Sequence, residues 1–262
     1  MTSGQRTKSI FITGAAQGIG RATAKLFHEG GWFVGLYDVD TDAVQRLADE
    51  LGPNTTHAGK LDVVDVQGWA TQLAAFTQRS GGQLNVLLNN AGIAQSGSFE
   101  EIELDAHHAI VEVNLKGVMN GCHRAFSYLR DSDDARLINL ASASAIYGAA
   151  DLASYSSTKF AVRGLTEALD LEWRKHGIRV SDIWPLFVKT NMVDGLDLAS
   201  LKSLGVRLTA QDVARTIWKA AHHRGRHKVH WLVGAQTHAL YRATCFLPDR
   251  LHRAVTAKLS QA

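Results

Sequence analysis

Tyr155 and Lys159 are the residues best suited to chemistry, and they lie four apart in the helical pattern Ala153–His176. That spacing puts a phenol and an ammonium on one helix face, a turn apart. A free phenol has a pKa of about 10 and is a poor base at neutral pH. A neighbouring ammonium favours the phenolate, so the pair could move a proton to and from an alcohol oxygen. A solvated helix face would carry the same two residues. Two hydroxyls precede them: Ser142 and Ser144 follow the apolar run Arg136–Ala141. Ligands of open parallel sheets sit at the carboxyl ends of strands, so either serine could face a substrate.

A second constellation lies near the start. The apolar run Lys8–Thr13 leads directly into Gly14-Ala15-Ala16-Gln17-Gly18-Ile19-Gly20, where a helical pattern opens. Glycines let the backbone turn sharply, and a helix N-terminus offers free N–H groups and the positive end of its dipole. Between a first strand and a first helix, this arrangement fits a pyrophosphate. The next apolar run ends in Asp38, whose carboxylate could accept hydrogen bonds from ribose hydroxyls and repel the extra phosphate of NADP. No arginine follows in Val39-Asp40, so NAD is the expected cofactor. Asp38 could instead cap the helix that begins nearby. Asp62 and Asn89-Asn90-Ala91-Gly92 close two further runs, as ligand contacts or as turns.

These residues need a scaffold that brings strand ends together. Lys8–Thr13, Trp32–Asp38, His57–Val63, Leu84–Asn89, Arg136–Ala141, Ile178–Trp184 and Lys228–Val233 read as strands. Most are apolar at consecutive positions, as in strands buried on both faces. Helical patterns alternate with them at Ile19–Gly30, Thr41–Leu51, Val66–Ser80, Asp105–Leu129, Ala153–His176 and Ala210–His223. The alternation predicts an α/β, doubly wound Rossmann fold: a seven-stranded parallel sheet with helices on both faces. With three prolines and no linker-like stretch, one domain spanning residues 1–262 is expected.

Composition bounds the function. An apolar fraction of 45% and a charged fraction of 20% are ordinary for a globular chain. A net charge of +3, spread along the sequence, gives no argument for nucleic acid. Two distant cysteines, no apolar leader and no run of membrane-spanning length point to a reducing, cytoplasmic setting. Adjacent histidines on a helix diverge by about 100° and seldom share an ion. His107-His108, His222-His223, His227 and His230 therefore read as solvated surface groups, and no metal is expected.

Thr13-Gly14 with Gly18-Ile19-Gly20, Asn89 to Gly92, Asn114, Ser142, and Tyr155 with Lys159, in this order and spacing, resemble the short-chain dehydrogenase/reductase family in its short single-domain branch. The resemblance covers about Lys8 to Gly234. It implies a sheet order of 3-2-1-4-5-6-7 and a catalytic tetrad of Asn114, Ser142, Tyr155 and Lys159. By the same likeness Ser142 is chosen over Ser144, and Asn114 would hold a water linking Lys159 to solvent. The implied cofactor contacts are Gly14, Gln17, Gly18, Ile19, Gly20, Asp38, Asp62, Val63, Asn90, Ala91, Gly92, Tyr155, Lys159, Pro185, Val188 and Thr190. One departure stands out: Leu186 follows Pro185 where the family has glycine, so the backbone there must avoid left-handed conformations. The activity implied is hydride transfer between a nicotinamide and an alcohol/ketone pair, in a homodimer or homotetramer.

Residues 187–208 would then be a flap over the substrate. Met192, Val193, Leu196, Leu198, Leu201 and Leu204, with Ile93, Ala143, Ile146 and Tyr147, suggest an apolar pocket for a lipophilic secondary alcohol or ketone. Packing on the body explains the leucines equally well. The tail 235–262 reads as two short amphipathic helices about Pro248, with Leu240, Ala243 and Leu247 on one and Leu251, Val255 and Leu259 on the other. Arg242, Arg250, Arg253 and Lys258 lie on or beside their polar faces. Packing or subunit contact is favoured over a peripheral membrane contact. The competing functions are a dinucleotide-sensing protein without turnover, which intact Ser142, Tyr155 and Lys159 oppose, and an epimerase or dehydratase, which the short chain opposes.

Overall fold

The computed structural model describes residues 7–194, 198, 205–246, 248, 250, 251, 254 and 257. Seven strands form one parallel sheet: β1 (Ser9–Thr13), β2 (Phe33–Asp38), β3 (Thr56–Lys60), β4 (Val86–Asn89), β5 (Arg136–Leu140), β6 (Arg179–Trp184) and β9 (His230–Leu232). Their order is β3-β2-β1-β4-β5-β6-β9. This is the expected order of the seven predicted strands. Two short strands intervene in the chain, β7 (Val188–Lys189) and β8 (Leu208–Thr209), and pair with each other in parallel. That pairing pins the two ends of the expected flap together.

Consecutive apolar residues in the strands feed two separate cores. In β1, Phe11 joins one cluster while Ile10 and Ile12 join the other, because successive side chains point to opposite faces. On the first face Phe11 stacks on Tyr37 with ring centroids 3.8 Å apart, and Trp69 and Phe76 close around them. On the second, Phe27, Trp32 and Trp218 pack edge to face.

Helices α1 (Gly18–Glu29), α2 (Thr41–Leu51), α3 (Val66–Arg79), α4 (Leu104–Val111), α5 (Gly117–Arg130) and α6 (Ala153–Trp173) follow the sequence pattern closely. The predicted helix Asp105–Leu129 differs in one respect. Glu112–Lys116 forms a π turn between α4 and α5, which widens the helix and turns Asn114 fully into the interior. Such turns are rare and cluster at functional sites. Asp62 lies beyond the end of β3, not at its last position.

Helix Gly234–Phe246 carries the start of the tail, with Leu240 and Tyr241 packed on the core. Leu251 is 53% exposed. Leu196, Leu201, Leu204, Leu247, Arg253, Val255, Lys258 and Leu259 lie outside the described residues. No helix among the described residues is long and apolar enough to cross a membrane.

Candidate active site

The carboxyl ends of the central strands and the glycine turn enclose a cavity of about 360 Å³. Gly14 and Gly18 adopt left-handed φ values of 66° and 54°. A Cβ on Gly20 would sit 2.0 Å from the Gly14 carbonyl oxygen, so that position tolerates no side chain. Gly20 thus supports the turn from behind, while Gly14, Gln17, Gly18 and Ile19 line the cavity.

Thr13 and Asn90 stitch this turn to the end of β4. Thr13 Oγ1 accepts from the N–H groups of Asn90 and Ala91 at 3.0 and 3.1 Å. The Asn90 amide donates to the carbonyls of Thr13 and Gly14 at 2.8 and 2.9 Å. Asn90 therefore shapes the turn with its side chain, a role its neighbouring glycines did not announce. Thr13 belongs to the same device; from sequence it was the last strand residue and the first of the glycine motif, with no contact assigned to its hydroxyl.

Asp38 lines the far end of the cavity. Its two oxygens accept from the N–H groups of Ala16 and Asp40, at 3.0 and 3.1 Å. The helix-cap alternative belongs to Asp40, whose carboxylate accepts from Ala43 N–H at 2.9 Å. Asp62 and Val63 also line the cavity, and Asp62 accepts from Val64 N–H in a local turn. No arginine occurs among the described residues that line the cavity; its single cation is Lys159.

Ser142, Tyr155 and Lys159 meet at the opposite end. Ser142 caps the short turn Ala143–Ala145, accepting from Ser144 N–H at 3.1 Å. That leaves its O–H proton free to donate to the Tyr155 phenol, which it favours as the phenolate. Ser142 lines the cavity and Ser144 does not. Lys159, 4% exposed, donates to the Leu140 carbonyl at 2.9 Å and lies 5.3 Å from the centre of the Tyr155 ring.

Burial governs both charges. It raises the phenol above its ordinary value, with Ser142 acting against the rise, and lowers the ammonium to about 8. The counterweight to burial at Tyr155 is thus a hydroxyl, whereas the sequence assigned that task to Lys159.

Asn114 takes its place by another route. Its side chain clamps the backbone of Ile93, accepting from the N–H and donating to the carbonyl, each at 2.8 Å. It fixes the loop after Gly92, where a Cβ would lie 3.1 Å from Asn114 Oδ1 and 3.8 Å from Lys159 Nζ. Ala91, Gly92 and Ile93 line the cavity as a result.

Pro185, Leu186, Val188 and Thr190 line the wall opposite, continued by Asn191, Met192 and Val193. Leu186 has no left-handed φ, as its side chain requires. Asn191 donates to the Gln17 side chain at 2.7 Å and joins this segment to the glycine turn. Ala143, Ile146 and Tyr147 do not reach the cavity: they are at most 9% exposed and belong to the core behind Ser142. Leu198 is likewise 1% exposed and packs in that core.

The reading of solvated histidines also fails at several positions. His107 is 7% exposed and bridges the Phe99 carbonyl and the Ser154 hydroxyl, at 2.9 and 2.7 Å. His230 faces Asp182 and Glu167 and His222 bonds Trp218, whereas His227 is exposed, as expected, while pairing with Asp170. For His107, His227 and His230 the helix pattern gave no sign of the side-chain partners, Ser154, Asp170, Asp182 and Glu167, which come from distant elements. No metal-binding group of histidine, cysteine and carboxylate occurs among the described residues.

A parallel sheet in this order, with a glycine turn at its first crossover and a cavity across its strand ends, defines a dinucleotide-binding α/β protein of Rossmann type. The short chain dehydrogenase family model matches residues 8–199, and the chain belongs to that family of oxidoreductases. It is 35% identical over 195 residues to a 3-beta-hydroxysteroid dehydrogenase of Comamonas testosteroni, covering 74% of this chain and 76% of that one. A 3alpha-hydroxysteroid dehydrogenase of Mediterraneibacter gnavus is 31% identical over 202 residues, covering 76% and 81%. Among solved structures, a short chain dehydrogenase/reductase from Burkholderia phymatum in complex with NAD superimposes with a TM-score of 0.81. It is 26% identical, with 90% of this chain and 92% of that one covered.

Proposed function

We propose that this chain is an NAD(H)-dependent enzyme interconverting a lipophilic secondary alcohol and its ketone. The observation that carries the reading is the Ser142 hydroxyl facing the Tyr155 phenol, beside buried Lys159, in one cavity with Asp38. The residues suit a dinucleotide. The glycine turn would take the pyrophosphate, Asp38 the adenosine ribose, and Lys159 with Thr190 the nicotinamide end. The Asp38 carboxylate, with no arginine among the described lining residues, favours NAD over NADP. When bound, the nicotinamide accepts or supplies the hydride.

The chain's own residues handle the proton and the substrate oxygen. In oxidation, phenolate Tyr155 takes the alcohol proton; in reduction, Tyr155 returns it to the carbonyl oxygen. Ser142 donates to that oxygen and stabilises its developing charge. Lys159, one helical turn from Tyr155, would hold the nicotinamide ribose, while the Ser142 hydroxyl favours the phenolate. Asn114, through Ile93, holds the wall of the cavity beside Lys159 as a positioning residue. Ile93, Val113, Leu186, Met192 and Val193 give the substrate side an apolar lining. The hydroxysteroid activity of two relatives agrees with that lining. The segment between β7 and β8 acts as the flap.

The test is a panel of hydroxysteroids and other secondary alcohols and ketones with NAD and NADP, read by nicotinamide absorbance. Turnover with NAD, lost in Tyr155→Phe while NADH binding is kept, is the expected result. Substantial turnover by Tyr155→Phe would remove Tyr155 from its role.

A further inference from the structure

The helix face that carries Tyr155 and Lys159 continues at the same spacing of four to Arg163 and Glu167. Nothing in the reaction above uses these two residues, yet Arg163 touches the turn that holds the catalytic serine. Its Nη1 donates to the Ala145 carbonyl at 3.2 Å. Ala145 N–H in turn donates to the Ser142 carbonyl at 2.9 Å. The turn is held at its other end by Ala143 N–H on the Pro185 carbonyl, at 2.8 Å. Arg163 is therefore the side chain that secures the downstream end of the serine turn.

Arg163 is itself aimed by its surroundings. Its Nε donates to Glu167 at 2.8 Å, and its guanidinium lies 5.0 Å from the centre of the Trp184 ring. The His230 ring packs against the same tryptophan, with centroids 4.6 Å apart. His230 Nε2 lies 3.1 Å from Glu167, and its Nδ1 lies 2.8 Å from the fully buried Asp182. The titratable groups around Arg163 are thus Lys159 and Glu167 on its own helix, with His230 on β9 and Asp182 on β6 behind them. A planar fork fixed on two sides is pre-organised in a way a flexible lysine is not.

We propose that Arg163 is a positioning residue that holds the Ser142 hydroxyl against the Tyr155 phenol, with Glu167, His230 and Asp182 as its anchor. The inference rests on the assignment of Ser142 and Tyr155 above. If it holds, losing Arg163 lets the turn relax, and the phenol loses the hydroxyl that favours its ionisation.

The test reads Tyr155 directly and needs no turnover. The phenolate absorbance of the full-length protein is titrated with pH, and the titration of the matching Tyr155→Phe protein is subtracted. Ser142→Ala should raise the Tyr155 midpoint by roughly 0.5 to 1 pH unit, the worth of one hydrogen bond. Arg163→Met should raise it by at least half as much. In the Ser142→Ala background, Arg163→Met should add nothing, because the route runs through Ser142. Thermal unfolding checks that each protein is folded, and Arg163→Gln serves with the same expectation should the methionine variant not fold.

An unmoved midpoint in Arg163→Met would overturn the proposal. So would an equal shift in the Ser142→Ala background, which would mean that Arg163 acts on Tyr155 by charge alone. Turnover surviving in Tyr155→Phe would refute the catalytic assignment instead, so the two failures are distinguishable.

Discussion

Lys159 is expected to cost the fold stability at neutral pH, and Lys159→Met tests this. The ammonium is 4% exposed, and burial lowers it from the ordinary 10.5 to about 8. Between those values the unfolded chain binds more protons than the folded one, so stability rises with pH. The cost is complete below pH 8 and vanishes above 10.5. A shift of this size corresponds to about 3 kcal/mol at pH 7, falling to about 1 kcal/mol at pH 9.5. Methionine has a similar length, no charge to desolvate, and loses only the bond to the Leu140 carbonyl, worth about 1 kcal/mol. Lys159→Met should therefore be inactive yet more stable than the wild type at pH 7. The assay is urea unfolding of both proteins at pH 7 and pH 9.5. The advantage of the variant should shrink by about 2 kcal/mol between them, and every other titrating group cancels in the comparison. Parallel stabilities at the two pH values would show that Lys159 is not a buried, strained charge and would refute the reasoning.

Oxidation should speed up as pH rises into the alkaline range, because burial holds the Tyr155 phenol above its ordinary value and the proposed reaction needs the phenolate; a flat profile of kcat/KM would contradict this. Gly20→Ala places a Cβ 2.0 Å from the Gly14 carbonyl and should cost ~3 kcal/mol in unfolding free energy while weakening dinucleotide binding. Asp38→Asn should raise the NADP-to-NAD ratio of kcat/KM by about 10- to 100-fold, since it removes one negative charge facing the added phosphate. In a Cys245→Ser background, Cys122 should resist thiol reagents at pH 8 until the protein unfolds, because burial pushes its thiol up to about 12.

The elements were legible because their signals are local. Runs such as Ile10–Ile12 and Leu87–Leu88 are apolar at successive positions, which only a two-faced burial satisfies, and their lengths fit strands. The break at Glu112–Lys116 was not legible, because a π turn has no pattern of its own and is fixed by the pull of Asn114 on Ile93. The histidines were misread for a related reason. His230 looks like a surface residue until Asp182 and Glu167 arrive from β6 and α6, 48 and 63 residues away. The apolar residues after Ser142 were assigned to the substrate pocket by proximity, but the turn at Ala143–Ala145 points them into the core.

By itself the sequence determined the sheet, the glycine turn and which side chains could carry the proposed chemistry, since periodicity, the steric freedom of glycine and a spacing of four are properties of neighbouring residues. Tertiary structure alone decided how those groups are tuned. It buried Lys159 against Leu140, set the Ser142 hydroxyl beside Tyr155, spent Asn114 on Ile93 and set Arg163 on the serine turn. Desolvation and hydrogen-bond direction depend on partners that are close in space and far apart in the chain, and no local pattern records them.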